Sequence, residues 1–285
     1  MLKETYILNN GKEIPKIGLG TWEIPDDKVA EAVRQAVKIG YRHIDTAQGY
    51  GNERGVGEGI RTCGLPREEL FITTKLEADA KDPEEARKLI MNSLNVMDIG
   101  YIDLLIIHAP QPWAEFREEN RYFKENREIW KVLEEFVKEG KVKSIGLSNF
   151  LEDDLKNILD GCEIKPAVNQ VLCHISKTPF ELIDFCKAND IQVEAYSPVA
   201  HGQMLKNKDV MKLAEKYGVT IPQLCVRYDL QLGTVVLPKT ANPDHMENNA
   251  DVDFAISDED MEILKSAAPI ENYGEFDKFP VYGKA

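Results

Sequence analysis

The sequence has few of the residues that build metal centres and disulfide frameworks. Its 285 residues include five cysteines and five histidines. The cysteines are widely spaced and form no Cys-x-x-Cys pair, and the histidines show no His-Glu-x-x-His spacing. This scarcity argues against a structural or catalytic metal ion. It also predicts free thiols in a reducing compartment.

Clustered positive charge and long apolar runs are also missing. Lysine and arginine total 35 against 49 acidic residues, which gives a net charge of −14 and no basic stripe. Nucleic acids and anionic membranes attract clustered lysine and arginine, so neither is expected as a partner. No segment approaches the ~20 apolar residues of a membrane span, and the N-terminal residues form no apolar run of signal-peptide length. We therefore expect a cytoplasmic protein.

Short β-rich runs alternate with amphipathic helical patterns along the chain. Hydrophobic residues make up 43% of the sequence, enough for a large core. Strands are predicted at residues 16–19, 42–45, 70–75, 102–108, 142–147, 167–171, 192–196 and 234–237. Helices are predicted at residues 28–39, 82–97, 126–138, 151–159, 178–188, 209–217 and 222–232, with a short one beginning at Pro243. This alternation is typical of a parallel sheet that closes on itself.

The alternative to a barrel is an open, doubly wound sheet. Such sheets usually carry Gly-x-Gly-x-x-Gly directly after the first strand. Gly55, Gly57 and Gly59 have a different spacing and follow no strand directly, so we predict a turn and the loose start of a helix there. We predict one domain over residues 1–285, an α/β fold of the (β/α)8 TIM-barrel type. A β-hairpin over residues 5–14 is predicted to lie under the barrel floor.

Three of the predicted strands end in ionisable side chains. Asp45, Lys75 and His108 each end one strand, and Tyr50 follows the first of them by five residues. In a parallel barrel, the C-terminal ends of the strands form the face at which catalysis takes place. Four groups that can hold or move protons are therefore predicted at this face.

Motifs in this order resemble those of the aldo-keto reductase family over nearly the whole chain. The residues that carry the resemblance are Asp45-Thr46-Ala47-x-x-Tyr50-x-Asn52-Glu53, Thr74-Lys75, Leu105-Ile106-Ile107-His108, Ile145-Gly146-Leu147-Ser148-Asn149-Phe150, Gln170, Tyr196-Ser197-Pro198 and Leu237-Pro238-Lys239-Thr240. Each motif is weak evidence alone, whereas all of them in order are a specific match. The resemblance implies NADPH-dependent, reversible reduction of a small-molecule aldehyde or ketone to an alcohol, by a monomeric enzyme.

The resemblance also implies a catalytic tetrad of Asp45, Tyr50, Lys75 and His108. Tyr50 would donate a proton to the carbonyl oxygen, although a free phenol with a pKa near ~10 is a weak acid at neutral pH. An ammonium about 4 Å away would favour the phenolate by roughly 4 kcal/mol at an effective dielectric of ~20. We therefore expect Lys75 to lower the pKa of Tyr50 by up to about three units before desolvation opposes it. Asp45 would keep Lys75 charged, and His108 would orient the carbonyl.

Two other functions fit parts of this pattern. Lys75 could be a Schiff-base nucleophile, as in barrel aldolases, but that role needs a neutral amine and a salt bridge to Asp45 would oppose it. The chain could instead be a non-catalytic, cofactor-sensing binding module, since potassium-channel β subunits resemble this family. The sequence has no extra N-terminal segment and no obvious apolar docking patch, which argues against the module.

The resemblance further implies which residues bind the cofactor. Ser148, Asn149 and Gln170 would hold the nicotinamide carboxamide, and Tyr196 would stack on the ring. A loop over residues 197–205 would wrap the pyrophosphate. The full expected set is Gly20, Thr21, Asp45, Ser148, Asn149, Gln170, Tyr196, Ser197, Pro198, Leu205, Lys239, Thr240, His245, Asn248 and Asn249.

Two departures from the family pattern bear on specificity. His245 stands where many NADPH-preferring members carry arginine, whose permanent planar charge suits the 2′-phosphate better than a largely neutral imidazole. We therefore expect NADPH to be accepted, with NADH also accepted more readily than usual. Ala109 stands where a tryptophan often follows the catalytic histidine, so a wider pocket that tolerates bulkier carbonyls is expected. The expected substrate-binding set is Trp22, Tyr50, His108, Ala109 and Trp113.

Residues 110–121 and 269–285 match no clear helix or strand. Long segments on the active face of a barrel often shape the substrate pocket. A tail packed on the outer wall of the barrel is the alternative, and the sequence leaves both open. Trp130, by contrast, lies at helical spacing and is predicted to be a core residue.

Overall fold

Eight parallel strands form a nearly closed barrel, which confirms the predicted fold class. The computed structural model describes residues 1–270 and 272–283. The strands in chain order are β1 (Thr5–Ile7), β2 (Glu13–Pro15), β3 (Gly18–Gly20), β4 (His43–Asp45), β5 (Phe71–Leu76), β6 (Ile102–Ile107), β7 (Val142–Ser148), β8 (Val168–Leu172), β9 (Gln192–Tyr196) and β10 (Val235–Leu237). From β3 to β10, each strand is hydrogen-bonded to the next one in chain order.

The barrel closes where β3 meets β10. The Val236 amide donates to the Lys16 carbonyl at 2.9 Å, and the Gly20 amide donates to the Pro238 carbonyl at 3.1 Å. A Cβ atom on Gly18 would lie 2.7 Å from the Leu237 side chain, so this seam accommodates only glycine. Because all eight strands are parallel, their C-terminal ends lie at one rim.

The hairpin of β1 and β2 covers the opposite end of the barrel. The two strands pair antiparallel, as predicted, with Tyr6 opposite Ile14. Leu8 and Ile14 are buried in one apolar cluster with Phe71 and Val235, the first residues of β5 and β10. This cluster seals the N-terminal end of the barrel, so the open rim is the only accessible end of its axis among the described residues.

Helices form the outer layer of the barrel. They are α1 (Asp26–Ile39), α2 (Glu53–Thr62), α3 (Pro83–Met97), α4 (Phe123–Lys138), α5 (Glu152–Leu159), α6 (Phe180–Ala188), α7 (Lys208–Tyr217), α8 (Ile221–Gln231), α9 (Pro243–Ala250) and α10 (Asp258–Lys265). A last short helix, α11 (Pro280–Gly283), lies in the C-terminal tail. Asp82 begins α3 as expected, because its carboxylate accepts from the amides of Glu84 and Glu85. Trp130 is buried in the layer between helices and sheet, which confirms its predicted core position. None of the helices in the described chain is long and apolar enough to cross a membrane.

Helix α2 corrects the prediction of a turn and a loose helix start at the three closely spaced glycines. Gly55, Gly57 and Gly59 lie within the helix and are buried. A Cβ atom on Gly55 would overlap the Asp26 carbonyl of α1, and one on Gly57 would overlap the Met97 backbone at the end of α3. Glycine is a poor helix former, but here it permits close contact with both neighbouring helices.

Helix α10 was not predicted. The sequence signal for it is a serine followed by three acidic residues. The Ser257 hydroxyl caps the helix by accepting from the Asp260 amide, and the acidic residues lie in the first turn, where negative charge is favourable.

Candidate active site

A cavity of about 840 Å³ opens at the rim formed by the C-terminal ends of the strands. Its walls include three of the four predicted catalytic residues, Asp45, Tyr50 and His108. A second cavity of about 930 Å³ lies at the N-terminal side of the barrel, beside Met1 and Glu69. None of the predicted catalytic residues lines it, so the chemistry belongs to the rim cavity.

Lys75 lies at the centre of the predicted tetrad. This residue of β5 is completely buried. Its Nζ donates to Asp45 Oδ1 at 2.5 Å, to the Thr46 carbonyl at 2.9 Å and to the Tyr50 hydroxyl at 3.2 Å. Asp45 ends β4, and Tyr50 ends the 3₁₀ turn Gln48–Tyr50 that follows it. Side chains from two strands and a turn therefore meet around one ammonium group.

The surroundings of Lys75 favour its charged form. Desolvation lowers the pKa of Lys75, but attraction to Asp45 and Tyr50 outweighs desolvation, and the pKa is raised above its ordinary value. A Schiff-base lysine must be neutral in order to attack a carbonyl. The geometry therefore argues against the aldolase alternative.

The pKa of Tyr50 shifts in the direction opposite to the expectation. Burial raises this pKa most, and the Lys75 charge lowers it only in part, while Asp45 raises it further. Burial is the largest cause, and the ammonium of Lys75, which forms an ion pair with Asp45 at 2.5 Å, offsets it only in part. The phenol therefore lies beside a neutral pair and not beside an isolated cation. Tyr50 stays protonated at neutral pH, which is the form that can donate a proton.

His108 directly follows β6 and faces Tyr50 across the cavity floor. The two ring centroids are 5.7 Å apart. Burial and the charge of Lys75 hold the pKa of His108 well below its ordinary value, so the imidazole is neutral. Its Nδ1 is buried without a hydrogen-bond partner in the described part of the chain. A neutral imidazole can present one N–H to a carbonyl oxygen.

Buried polar side chains continue below the tetrad into the barrel axis. Gln170 Nε2 donates to Asp45 Oδ2 at 2.8 Å and to Glu194 Oε2 at 2.9 Å. Glu194 Oε1 lies 3.7 Å from Nε2 of His43. Burial and repulsion from Asp45 raise the pKa of Glu194 to about 8, whereas burial and the charge of Lys75 lower that of His43 to about 3. Both groups are therefore mainly neutral at neutral pH.

Glu194 and His43 were not among the site residues predicted from the sequence. Each is an ionisable residue within a short strand, His43 in β4 and Glu194 in β9. An ionisable side chain pointing into a barrel interior is unusual, and this was the signal that could have found them.

Most of the predicted cofactor residues line the rim cavity. They are Gly20, Asp45, Ser148, Asn149, Gln170, Tyr196, Ser197, Pro198, Lys239, Thr240, His245, Asn248 and Asn249. Two of the predicted residues lie outside its wall. Thr21 is fully buried, and its hydroxyl donates to the Asp45 carbonyl at 2.9 Å. Leu205 is exposed to solvent, away from the lining.

The predicted substrate residues divide in the same way. Trp22, Tyr50, His108 and Trp113 line the cavity. Ala109 does not, because it is fully buried in a cluster with Ala78 and Phe116, behind the indole of Trp113. The expected widening of the pocket at residue 109 is therefore corrected. The Trp113 ring packs against His108 with centroids 5.1 Å apart, so it walls the reacting end of the cavity.

Free polar atoms at the rim fit a nicotinamide carboxamide. Asn149 adopts a left-handed conformation with φ 62, donates to the His108 carbonyl at 3.0 Å and accepts from the Tyr196 hydroxyl at 2.7 Å. Gln170 uses its amide hydrogens within the barrel, which leaves Oε1 as an acceptor. The Ser148 hydroxyl accepts from Asn149 at 3.1 Å and keeps its own proton to donate. One acceptor and one donor are what a carboxamide requires.

The segment after β9 and the C-terminal tail cover the cavity together. The Ser197 hydroxyl lies 2.8 Å from that of Tyr282. His201 stacks on Phe276 with ring centroids 3.8 Å apart and meets Trp22 edge-on at 5.6 Å. An aromatic cluster thus joins three separate segments above the site.

Both segments that the sequence left open therefore belong to the active face. In the first, Gln111 is buried and donates to the carbonyls of Glu118 and Asn120 at 2.8 and 2.7 Å, which fixes the loop that carries Trp113. The tail lines the cavity through Phe276, Phe279, Pro280, Val281 and Tyr282. Residues 271, 284 and 285 of the tail lie outside the described residues.

The end of the cavity beyond β10 suits a phosphate group. Lys239 follows β10 and is exposed on the wall. Helix α9 begins nearby, capped by Asn242, whose side chain accepts from the Asp244 amide at 2.9 Å. His245 lies in its first turn. A lysine and the N-terminus of a helix both attract an anion.

Comparison with known proteins agrees with this geometry. The model of the aldo/keto reductase family matches residues 16–269. The chain is 40% identical over 275 residues to glyoxal reductase of Bacillus subtilis (strain 168), covering 96% of each chain. It is 37% identical over 262 residues to methylglyoxal reductase DkgA of Escherichia coli (strain K12), covering 90% of this chain and 91% of that one.

Solved structures give the same result. MGS-M4, an aldo-keto reductase enzyme from a Medee basin deep-sea metagenome library, has a TM-score of 0.87 at 38% identity, covering 95% of this chain and 98% of that one. The aldose reductase from Schistosoma japonicum has a TM-score of 0.86 at 35% identity, covering 97% and 96%. Aldo-keto reductases are oxidoreductases that use nicotinamide cofactors and reduce carbonyl groups. By its sequence over nearly the whole length and by its barrel, this chain belongs to the aldo-keto reductase family.

Proposed function

We propose that the protein is an NADPH-dependent reductase of aldehydes and ketones, with Tyr50 as the general acid. The observation that carries the proposal is the position of Lys75. Its Nζ lies 3.2 Å from the Tyr50 hydroxyl and 2.5 Å from Asp45, beside a neutral His108. The reductase relatives support the reaction class.

The reaction needs a hydride at the carbonyl carbon and a proton at the carbonyl oxygen. A reduced nicotinamide supplies the hydride when it is bound. His108 would hydrogen-bond the carbonyl oxygen and orient it, and Tyr50 would donate its phenol proton as negative charge develops there. Lys75 would stabilise the phenolate that remains, because its ammonium is already in place and excluded from water. Asp45 would keep that ammonium oriented toward the phenol.

The cofactor preference is proposed to be moderate. Lys239 offers one positive charge for a 2′-phosphate, and His245 lacks the permanent planar charge that arginine would supply. We expect NADPH to be used with less discrimination against NADH than in members with arginine at this position. The ratio of kcat/KM for the two cofactors measures this, with His245→Arg as the matched comparison. A preference for NADPH of a thousandfold or more in the wild type would contradict it.

We further propose that residues 1–285 act as one domain, as a monomer and in the cytoplasm. The support is that residues from Gly20 to Tyr282 of a single chain line the cavity, so no second copy has to complete it. The substrate is proposed to be a small carbonyl compound. Because two relatives are named for glyoxal and methylglyoxal reduction, these two compounds are the first to assay.

Tyr50→Phe tests the proposal, because it keeps the ring and removes the donatable proton. We expect turnover to fall by about 10²–10⁴-fold, with cofactor binding unchanged. Tyr101→Phe is the matched control, since Tyr101 precedes β6 at the opposite end of the barrel. Survival of activity in Tyr50→Phe would exclude Tyr50 as the acid. Tight cofactor binding by the wild type without turnover of any aldehyde would favour the binding module instead.

A further inference from the structure

The carboxylate of Glu77 lies in the wall of the rim cavity, beside the proposed acid. Glu77 comes two residues after Lys75, where β5 has just ended. A Cβ atom on Gly49 would be 3.4 Å from both carboxylate oxygens of Glu77. Gly49 immediately precedes Tyr50, so this carboxylate lies against the turn that presents the phenol.

The position of Glu77 is fixed through its backbone. The Glu77 amide donates to Gln48 Oε1 at 3.0 Å. Gln48 in turn donates from Nε2 to the Leu89 carbonyl at 3.1 Å and to the Ser93 hydroxyl at 2.8 Å. The side chain of Glu77 is thus presented to the cavity from a rigid base on helix α3.

The carboxylate itself has no partner. Within residues 1–270 and 272–283, no side chain or amide forms a hydrogen bond or ion pair with its oxygens. It is half-buried, and burial together with the charge of Asp79 raises the pKa of Glu77 above its ordinary value. A bound molecule that supplies a cation or a hydrogen-bond donor can therefore pair with this carboxylate.

Among the described residues that line the cavity, no lysine or arginine lies beside Glu77. Lys75 is buried and paired with Asp45. Lys239 and His245 lie beyond β10, which is three strands from β5 around the barrel, or about 14 Å at the usual strand spacing. Glu23 also lines the cavity and adds negative charge.

The cavity wall also contains aromatic side chains. Trp22 and Trp113 line the same cavity, and aromatic faces attract cations as well as apolar groups. An anionic substrate would instead meet the unpaired carboxylate in a partly desolvated site, where repulsion between like charges is stronger than in water.

On the basis of the proposed reductase function, we propose that Glu77 determines substrate charge specificity. It favours carbonyl compounds that carry a positive charge near the carbonyl, accepts neutral ones and rejects those that carry a carboxylate. Its role is selection of the substrate and not transfer of the proton.

Three aldehydes of similar shape test this inference. They are benzaldehydes with a trimethylammonium, a methyl or a carboxylate group at the para position, assayed with the same cofactor. We expect kcat/KM to fall from the cationic to the neutral to the anionic compound. Glu77→Gln should reduce the ratio of cationic to anionic kcat/KM by about tenfold, as loss of one nearby charge predicts. The neutral compound serves as the reference for both charged ones.

Asp79→Asn is the matched control. It removes the same charge two residues further on, at an exposed position outside the cavity wall. We expect it to change the ratio less than twofold. A Glu77→Gln ratio within twofold of the wild type, or an equal change in Asp79→Asn, would overturn the inference.

The failure of the reductase proposal would be seen separately. If no aldehyde is turned over with either cofactor, the proposed reaction fails. The inference can then still be decided from the dissociation constants of the three compounds, measured by quenching of tryptophan fluorescence in wild type and Glu77→Gln. Loss of the charge ranking in the variant supports the inference, whereas an unchanged ranking refutes it.

Discussion

Replacing Glu194 with glutamine should change how the stability of the fold depends on pH. Glu194 is completely buried, and only one of its oxygens accepts a hydrogen bond, from Gln170 at 2.9 Å. Glutamine has the same shape and keeps an oxygen for that bond. The substitution therefore removes the titration and little else.

The sign of the effect follows from the direction of the pKa shift. The pKa of Glu194 is raised from an ordinary 4.5 to about 8 in the folded protein. Between these values the folded state holds a proton that the unfolded state releases, so stability is lost as pH rises through this window. The shift corresponds to roughly 5 kcal/mol over the whole window, and to about 3 kcal/mol between pH 5 and pH 8.

His43 contributes with the opposite sign. Its pKa is lowered from 6.5 to about 3 in the folded protein, so its contribution to stability is gained as pH rises from 3 to 6.5. This contribution is common to the wild type and the variant. The difference in the free energy of unfolding between the two proteins therefore isolates Glu194.

Urea unfolding followed by tryptophan fluorescence, at several values between pH 5 and pH 8, measures this difference. Between pH 5 and pH 8, we expect the free energy of unfolding of Glu194→Gln to rise by about 3 kcal/mol relative to that of the wild type. For Glu69→Gln, at an exposed position, the free energy of unfolding should follow the same pH dependence as in the wild type. If the Glu194→Gln curve also runs parallel within about 0.5 kcal/mol, the argument that this carboxyl is protonated in the fold is refuted.

Four further predictions concern the tetrad and the residues at and behind the pocket wall. Lys75→Met should lower turnover by about 10²–10⁴-fold. It should also lower the free energy of unfolding by about 3–5 kcal/mol, since it leaves Asp45 buried and unpaired. A turnover within tenfold of the wild type would contradict this prediction. Because burial raises the pKa of Tyr50 above 10.0, the rate of reduction should stay flat through neutral pH and fall only in the alkaline range; a decline centred near pH 7 would exclude Tyr50 as the titrating acid. Trp113→Ala should raise kcat/KM for bulky ketones relative to small aldehydes. Ala109→Trp should instead destabilise the fold by about 1–3 kcal/mol through overpacking. Unchanged stability together with a lower kcat/KM for bulky ketones would place residue 109 in the pocket.

Much of the barrel could be predicted because its signals are local. The strands β5, β6 and β9 are short β-rich runs, and their observed limits lie within one residue of the predicted ones. The hairpin, the cap at Asp82 and the core position of Trp130 likewise depend on near neighbours in the chain. The order of the motifs gave the family, and the family implied the tetrad that meets around Lys75.

Helix α2 shows where local signals fail. Gly55, Gly57 and Gly59 individually disfavour a helix, and only contact with α1 and α3 compensates. The orientation of a residue that follows a strand is equally non-local: Ala109 faces Phe116, whereas Glu77 faces the cavity. Neither orientation can be derived from spacing.

Sequence alone determined which residues carry protons and at which strand ends they stand, because strand periodicity and motif order are properties of the chain. The tertiary structure decided their protonation. Burial keeps Tyr50 a neutral phenol beside the Asp45–Lys75 pair, and it also keeps Glu194 protonated in the barrel axis. The physical reason is that a pKa depends on desolvation and on charges within a few ångströms, and residues far apart in the chain supply both.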